Sequence, residues 1–422
     1  MSSNDGILTE SQPQREPKWS IAVKNFSPLW FTISMDTGIL SIILNLLPYR
    51  FSGQEILSTI LFVFNIVIFA IFALLSISRV FTHRRHVNNE TLNSVEELSY
   101  LGAPPTAYLT LVAQVTLTCS TAWGFPWTVV AYVLWWIGLV WTVSLTSFTV
   151  VTLVKRNITH DRALSPAIFL PLISIMTLGT TAGIVTNYST GISPSMAVPV
   201  IVVGYMAIGY AFFLSLLYYT YIAHKLIAVG VPAPAKIPAL VITVGPMGQF
   251  ATAIQVLSTA ASSRGLFGAY NQGTWLKSNA ASSVSATATL IALLALGFAF
   301  MWITVSWYIV IESMVKRQLP YSLTWWSLIF PMGVFTTALL NLSISLNSSA
   351  FRGLTAALLI FLFILYFVNW GGTIWRVSQG VVLGIPQQRE EEDQQAKDKK
   401  ERMDRYIVRN GHMNGNASSS NV

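Results

Sequence analysis

Apolar residues dominate ten stretches of this chain, near 27–47, 56–78, 103–122, 126–154, 166–186, 195–222, 237–258, 280–311, 323–346 and 352–375, separated by short polar breaks. A helix needs about 20 apolar residues to cross a hydrocarbon core of roughly 30 Å. The pattern predicts an all-α polytopic membrane protein whose ten transmembrane helices form one domain over 27–375. Several even-numbered stretches exceed what the bilayer requires, so those helices should tilt or project into water. Outside the domain lie a polar N-terminal segment, 1–26, and a polar tail, 376–422. The mixed charge of the tail predicts a short solvated helix followed by disorder. The N-terminal segment has no apolar core of signal-peptide type, so the first transmembrane helix is expected to direct insertion.

A second pattern repeats inside these stretches. A proline followed by a Met/Gly/Thr-rich run occurs in SPLWFTISMDTGI from Ser27, LPLISIMTLGTTAG from Leu170, VGPMGQFATA from Val244 and FPMGVFTTA from Phe330. APPTAYLTLVAQ from Ala103 keeps the proline and loses the Met-Gly part. Proline cannot donate a backbone hydrogen bond, and small residues let helices approach closely or leave a lumen open. All five copies fall on odd-numbered stretches. Pro28, Pro104, Pro171, Pro246 and Pro331 therefore mark interrupted helices turned inward to line a pathway. Such helices can present amide groups and positive dipole ends to an anion.

Charge adds topology. Only 10% of the residues are charged, against about 25% in soluble domains. Thirteen Lys and Arg residues fall in the N-terminal segment and the breaks after even stretches, four in the breaks after odd ones. By the positive-inside rule both termini are cytosolic, as an even number of spans also requires. The net charge of +8 is thus a topology signal and not a sign of nucleic-acid binding. The sequons at Asn187 and Asn347 fall in exterior breaks and are glycan candidates; those at Asn89 and Asn157 fall on the cytosolic side and should be silent.

The chemistry available inside the membrane is sparse. His83, His86, His160, His224 and His412 lie in cytosolic breaks or the tail, and no Lys or Arg lies deep within a span. The single cysteine, Cys119, excludes an internal disulfide and a cysteine-built metal site, and reads as a small packed residue. No phosphate loop, zincin motif, carboxylate cluster or Arg-rich span is present, so no catalytic residue, metal, cofactor or voltage sensor is expected. Gln114, Gln249, Gln255, Asn341 and Asn369 leave a neutral polar lining, suited to a small anion that must enter readily and leave readily. Asp36 is the exception, about ten residues into the first span. An acid at that depth is by default functional; the bland alternative is a carboxyl packed against hydroxyl or backbone groups.

FSPLWFTISMDTGILS, AYVLWW from Ala131, GPMGQ from Gly245 and WWSLIFPMG from Trp325 together resemble the tellurite-resistance/dicarboxylate transporter family, which includes slow anion channels. The resemblance runs from Phe26 to Trp375 and is most similar, within the family, to fungal sulfite efflux pumps. It implies ten helices as five helical hairpins, with odd helices as an inner ring around a central pore, and a homotrimer in the lipid bilayer. It also implies export of sulfite or bisulfite across the plasma membrane. The alternatives are a C4-dicarboxylate (malate) carrier and a gated small-anion channel. In related channels the phenylalanine before the ninth-helix proline is the gate, and Phe330 matches it. Thr180, Met247, Gly248, Gln249, Met332 and Gly333 are further pathway candidates. Many relatives have glycine at the position of Asp36. An ionised, pore-facing acid would repel an anion, whereas one that exchanges a proton would make transport pH-sensitive.

Overall fold

The computed structural model describes residues 16–156, 158, 164–386 and 390, and nearly all of them are helical. The Asn157 sequon, the first 15 residues and the tail beyond 386, with its expected helix and disorder, lie outside the described residues. Within them the β pairing is one isolated bridge, Gln272 to Leu276.

In chain order the helices are α1 (Lys18–Lys24), α2 (Phe31–Leu46), α3 (Gln54–Thr82), α4 (Arg84–Asn93), α5 (Val95–Tyr100), α6 (Ala103–Gln114), α7 (Thr121–Trp123) and α8 (Phe125–Arg156). They continue as α9 (Leu170–Tyr188), α10 (Pro194–Ala228), α11 (Gly245–Ala261), α12 (Leu266–Tyr270), α13 (Ser278–Val315), α14 (Ile329–Ser345) and α15 (Ser349–Ser378). Among the described residues nine helices, some including a 3-10 lead-in, are long and apolar enough to cross a membrane. They coincide with nine of the ten predicted stretches to within a few residues. The remaining stretch, 103–122, is helical but not one uninterrupted α-helix: α6 passes into a π-helical turn, Val115–Ser120, before α7. The chain is a multi-pass membrane protein.

Burial divides the nine into two kinds. The segments containing α9 and α11 are wholly buried over their most apolar 18 residues, and those containing α2 and α14 are 89% buried. For α3, α8, α10, α13 and α15 the figure lies between 22% and 39%. Exposed Leu, Ile, Val and Phe on these five helices match a hydrocarbon surrounding.

The prolines stand where each buried helix begins. Pro28 opens a 3-10 turn, Pro28–Trp30, that leads into α2. Pro104 and Pro171 are the second residues of α6 and α9, Pro246 is the second of α11, and Pro331 the third of α14. Three of these α-helices follow 3-10 segments: Pro166–Phe169, Pro234–Val244 and Leu323–Leu328. A proline in a first turn removes an N–H that has no intrahelical partner anyway. Exposed helices supply donors to main-chain carbonyls near these joints. Thr146 of α8 donates to Pro171 at 2.9 Å, Tyr219 of α10 to Thr243 at 2.6 Å and Asn369 of α15 to Trp325 at 3.0 Å. Irregular backbone inside a membrane persists only when neighbours satisfy it in this way.

Two compact units are present. The larger, Ser27–Thr373, contains every buried spanning helix; the smaller combines, among the described residues, 16–26 with 374–386. In the smaller unit the Asn25 amide donates to the Leu383 carbonyl at 3.3 Å.

Candidate functional site

The helices α2, α6, α9, α11 and α14 converge on a narrow cavity of about 20 Å³, room for about one water molecule. Each contributes to it: Ile39 and Ile42 from α2, Thr110 and Ala113 from α6, Thr177, Thr180, Thr181 and Ile184 from α9, Gln249 and Thr252 from α11, and Phe330 and Thr337 from α14. Among the described residues no charged one lines it. Ile42, Ala113 and Ile184 also belong to an apolar cluster with Leu117, against which Leu46 packs. Asp36 of α2 is level with Phe330, so at 1.5 Å per residue Ile42 lies roughly 9 Å farther along the helix. The cavity therefore runs from an aromatic ring to an aliphatic collar.

The six cavity threonines differ in what they can offer a ligand. Thr110 donates to the Ala107 carbonyl at 2.7 Å, Thr177 to Ile173 at 2.8 Å and Thr337 to Gly333 at 2.9 Å, each within its own helix. Thr252 donates to Val334 at 3.0 Å and Thr181 to Leu109 at 3.4 Å, across helix pairs. These hydroxyl hydrogens are committed to main-chain carbonyls. Thr180 behaves differently: its oxygen accepts from the Gln249 amide at 2.7 Å, and its own hydrogen has no acceptor within the described residues. The Thr180–Gln249 pair thus places a free O–H donor in a neutral cavity, where it can meet an anion.

Three of the pathway candidates read from the sequence, Phe330, Thr180 and Gln249, meet at this cavity. Met247 and Met332 are buried but do not line it. Gly248 and Gly333 are contact points between helices. A Cβ on Gly248 would come within 2.9 Å of the Phe335 backbone nitrogen, and one on Gly333 within 2.9 Å of Ile39. Asp36 is fully buried outside the lining, with neither carboxyl oxygen hydrogen-bonded. Of the glycan candidates, Asn347 is exposed after α14. Asn187 is instead buried in α9, its amide donating to the Gly183 and Val256 carbonyls, both at 2.7 Å. An amide so held is shielded from a glycosylating enzyme in the folded protein, unlike that of Asn347. The lining threonines other than Thr180 were not singled out from sequence; their signal was their place on the odd-numbered stretches.

Known transport proteins resemble this chain over most of its length. A sulfite efflux pump of Arthroderma otae is 27% identical over 343 residues, which cover 80% of this chain and 87% of the relative. One of Trichophyton rubrum is 27% identical over 78% of this chain and 85% of its own length. A malic acid transport protein of Schizosaccharomyces pombe is 21% identical over 78% and 73%. These relatives are transporters, and nothing in the comparison points to an enzyme. The family model described as voltage-dependent anion channel (SLAC1) matches residues 25–374, and the chain belongs to that family.

Proposed function

We propose that this protein exports sulfite or bisulfite across the plasma membrane, through a pathway gated by Phe330. The observation that carries this reading is the neutral cavity with its free donor at Thr180 and Gln249, closed at one end by an aromatic ring. One hydroxyl donor and no fixed cation give an anion a foothold without a trap. A ring in a narrow lumen excludes both ions and water, so its movement controls conduction.

The wider arrangement we infer is ten helices as five hairpins, counting α6 to α7 as a span, with α2, α6, α9, α11 and α14 as the inner ring. Both termini are cytosolic, and the protein is a homotrimer with one pathway per protomer. A cytosol-negative potential then expels the anion without ATP, supplying about 2.3 kcal/mol per charge per 100 mV. Relatives that transport malic acid support a second reading, a C4-dicarboxylate carrier. The absence of any basic residue from the cavity lining favours the smaller anion, because a dicarboxylate held at two points calls for two cationic or strongly donating groups.

Reconstitution into liposomes with competing sulfite, malate, chloride and nitrate tests the proposal. Sulfite flux that exceeds the others and rises in a Phe330→Ala variant is the expected result. Robust malate flux with negligible sulfite movement overturns the substrate, and an unchanged rate in Phe330→Ala overturns the gate.

A further inference from the structure

Asp36 sits behind the gate, not in the path. It is fully buried in α2, and both carboxyl oxygens lack a hydrogen bond. Retaining an unpaired acid inside a membrane domain is costly and marks a functional group. Ile39 of α2 packs on Gly333 of α14, and about one turn back along both helices Asp36 comes beside Phe330, in the first turn of α14. Phe330 lines the cavity and Asp36 does not, so the carboxyl addresses the gate through its backbone and never needs to touch the anion.

The surroundings leave few other partners. From α15, Tyr366 interacts with Asp36, and its hydroxyl bonds Thr37 at 2.9 Å. From α3, Asn65 accepts from Ser34 at 2.6 Å, and from α6, Thr110 donates to its own helix. Tyr366 is thus the titratable group facing Asp36, and among the described residues no Lys, Arg, His, Asp or Glu acts on it.

We propose that Asp36 is a positioning residue for Phe330: the carboxylate takes the Phe330 N–H as donor and holds the first turn of α14, and uptake of one proton by the carboxyl releases that turn. A charge-assisted hydrogen bond is about twice as strong as a neutral one, so the hold on the gate follows the charge of Asp36. The proposal rests on Phe330 being the gate. It makes the conductance of the pathway depend on proton concentration without routing a proton along with the anion.

The test measures flux from about pH 5 to about pH 8 for the wild type, Asp36→Asn, Phe330→Ala and the double variant. It uses whichever of sulfite, malate, chloride or nitrate the wild type moves fastest. The ratio of Asp36→Asn to wild type at each pH cancels the protonation of the substrate itself. We expect wild-type flux to rise as pH falls, the ratio to change by about tenfold across the range, and the ratio to become flat in the Phe330→Ala background. Asp36→Glu should restore a pH dependence, and Asp36→Ser serves the same comparison where the Asn variant is not recovered from membranes. A ratio constant with pH, or a change of equal size without the Phe330 ring, overturns the latch even if Phe330→Ala shows that the gate is real. A best substrate other than sulfite overturns only the substrate assignment.

Discussion

Replacing Thr180 by valine tests the free donor directly. Valine keeps the shape of threonine and deletes the hydroxyl, whose hydrogen is not committed to a carbonyl. A hydrogen bond to a charged group contributes about 1.5–3 kcal/mol, so an anion that relies on this donor loses roughly 10- to 100-fold in affinity at the cavity. The substitution also strips the Gln249 amide of its acceptor, and that amide can then turn toward the anion and recover part of the loss. The expected outcome is a rise in KM for anion flux of about tenfold, with Thr180→Ser near wild type. Thr252→Val and Thr337→Val are the controls, since their hydroxyls donate to Val334 and Gly333 and do not serve the cavity. They should change KM by less than about threefold while lowering thermal stability by about 1 kcal/mol each. Vesicle flux at several anion concentrations separates KM from maximal rate. A Thr180→Val protein with wild-type KM, or a Thr337→Val protein equally impaired, refutes the assignment of the donor.

Other expectations follow from packing and charge. Gly248→Ala pushes a methyl against the Phe335 backbone, which cannot rotate aside, and should cost about 1–3 kcal/mol in detergent melting experiments. Asn187→Gln should leave electrophoretic mobility unchanged and lower the melting temperature, whereas any glycan on the mature protein should vanish in Asn347→Gln. Glu97, in the short helix α5 outside the spans, is raised above the usual carboxylate range chiefly by burial, with opposing pull from Ser27 and from Arg79 at 3.7 Å. A carboxyl whose folded value is raised contributes stability that is fully present below its unfolded value and is lost as pH rises through the folded one. Stability measured by melting should therefore decline over that interval in the wild type and decline less in Glu97→Gln.

The outline of the fold was legible because membrane insertion writes it in composition: a span must be apolar for its full length, and the predicted stretches and the observed helices agree closely. The break at Val115–Ser120 was invisible for the same reason, since apolar content is identical in α- and π-helical windings of one segment. The proline phrase falls at the start of the buried helices α2, α9, α11 and α14, but it could not say which of its small residues face space. Close approach and an open lumen both need small side chains, and only the partner helix decides between them. Gly248 meets Phe335 and Gly333 meets Ile39, while Thr180, from the same kind of phrase, meets the cavity.

The threonines carry this ambiguity into mechanism. In a membrane interior a hydroxyl is costly unless bonded, and the nearest acceptors are main-chain carbonyls of its own or a neighbouring helix. Five of the six cavity threonines take that solution, which turns their hydrogens away and leaves oxygen lone pairs toward the space. Lone pairs repel an anion. A lining rich in threonine is therefore not by that fact attractive to sulfite or any other anion; its attraction depends on the rare hydroxyl whose oxygen is already occupied by another donor. The Gln249 amide does this to Thr180, and the pair leaves the cavity two uncommitted hydrogens, that of the Thr180 hydroxyl and the second of the amide. In the proposed pathway so few donors hold an anion briefly, which is what throughput demands.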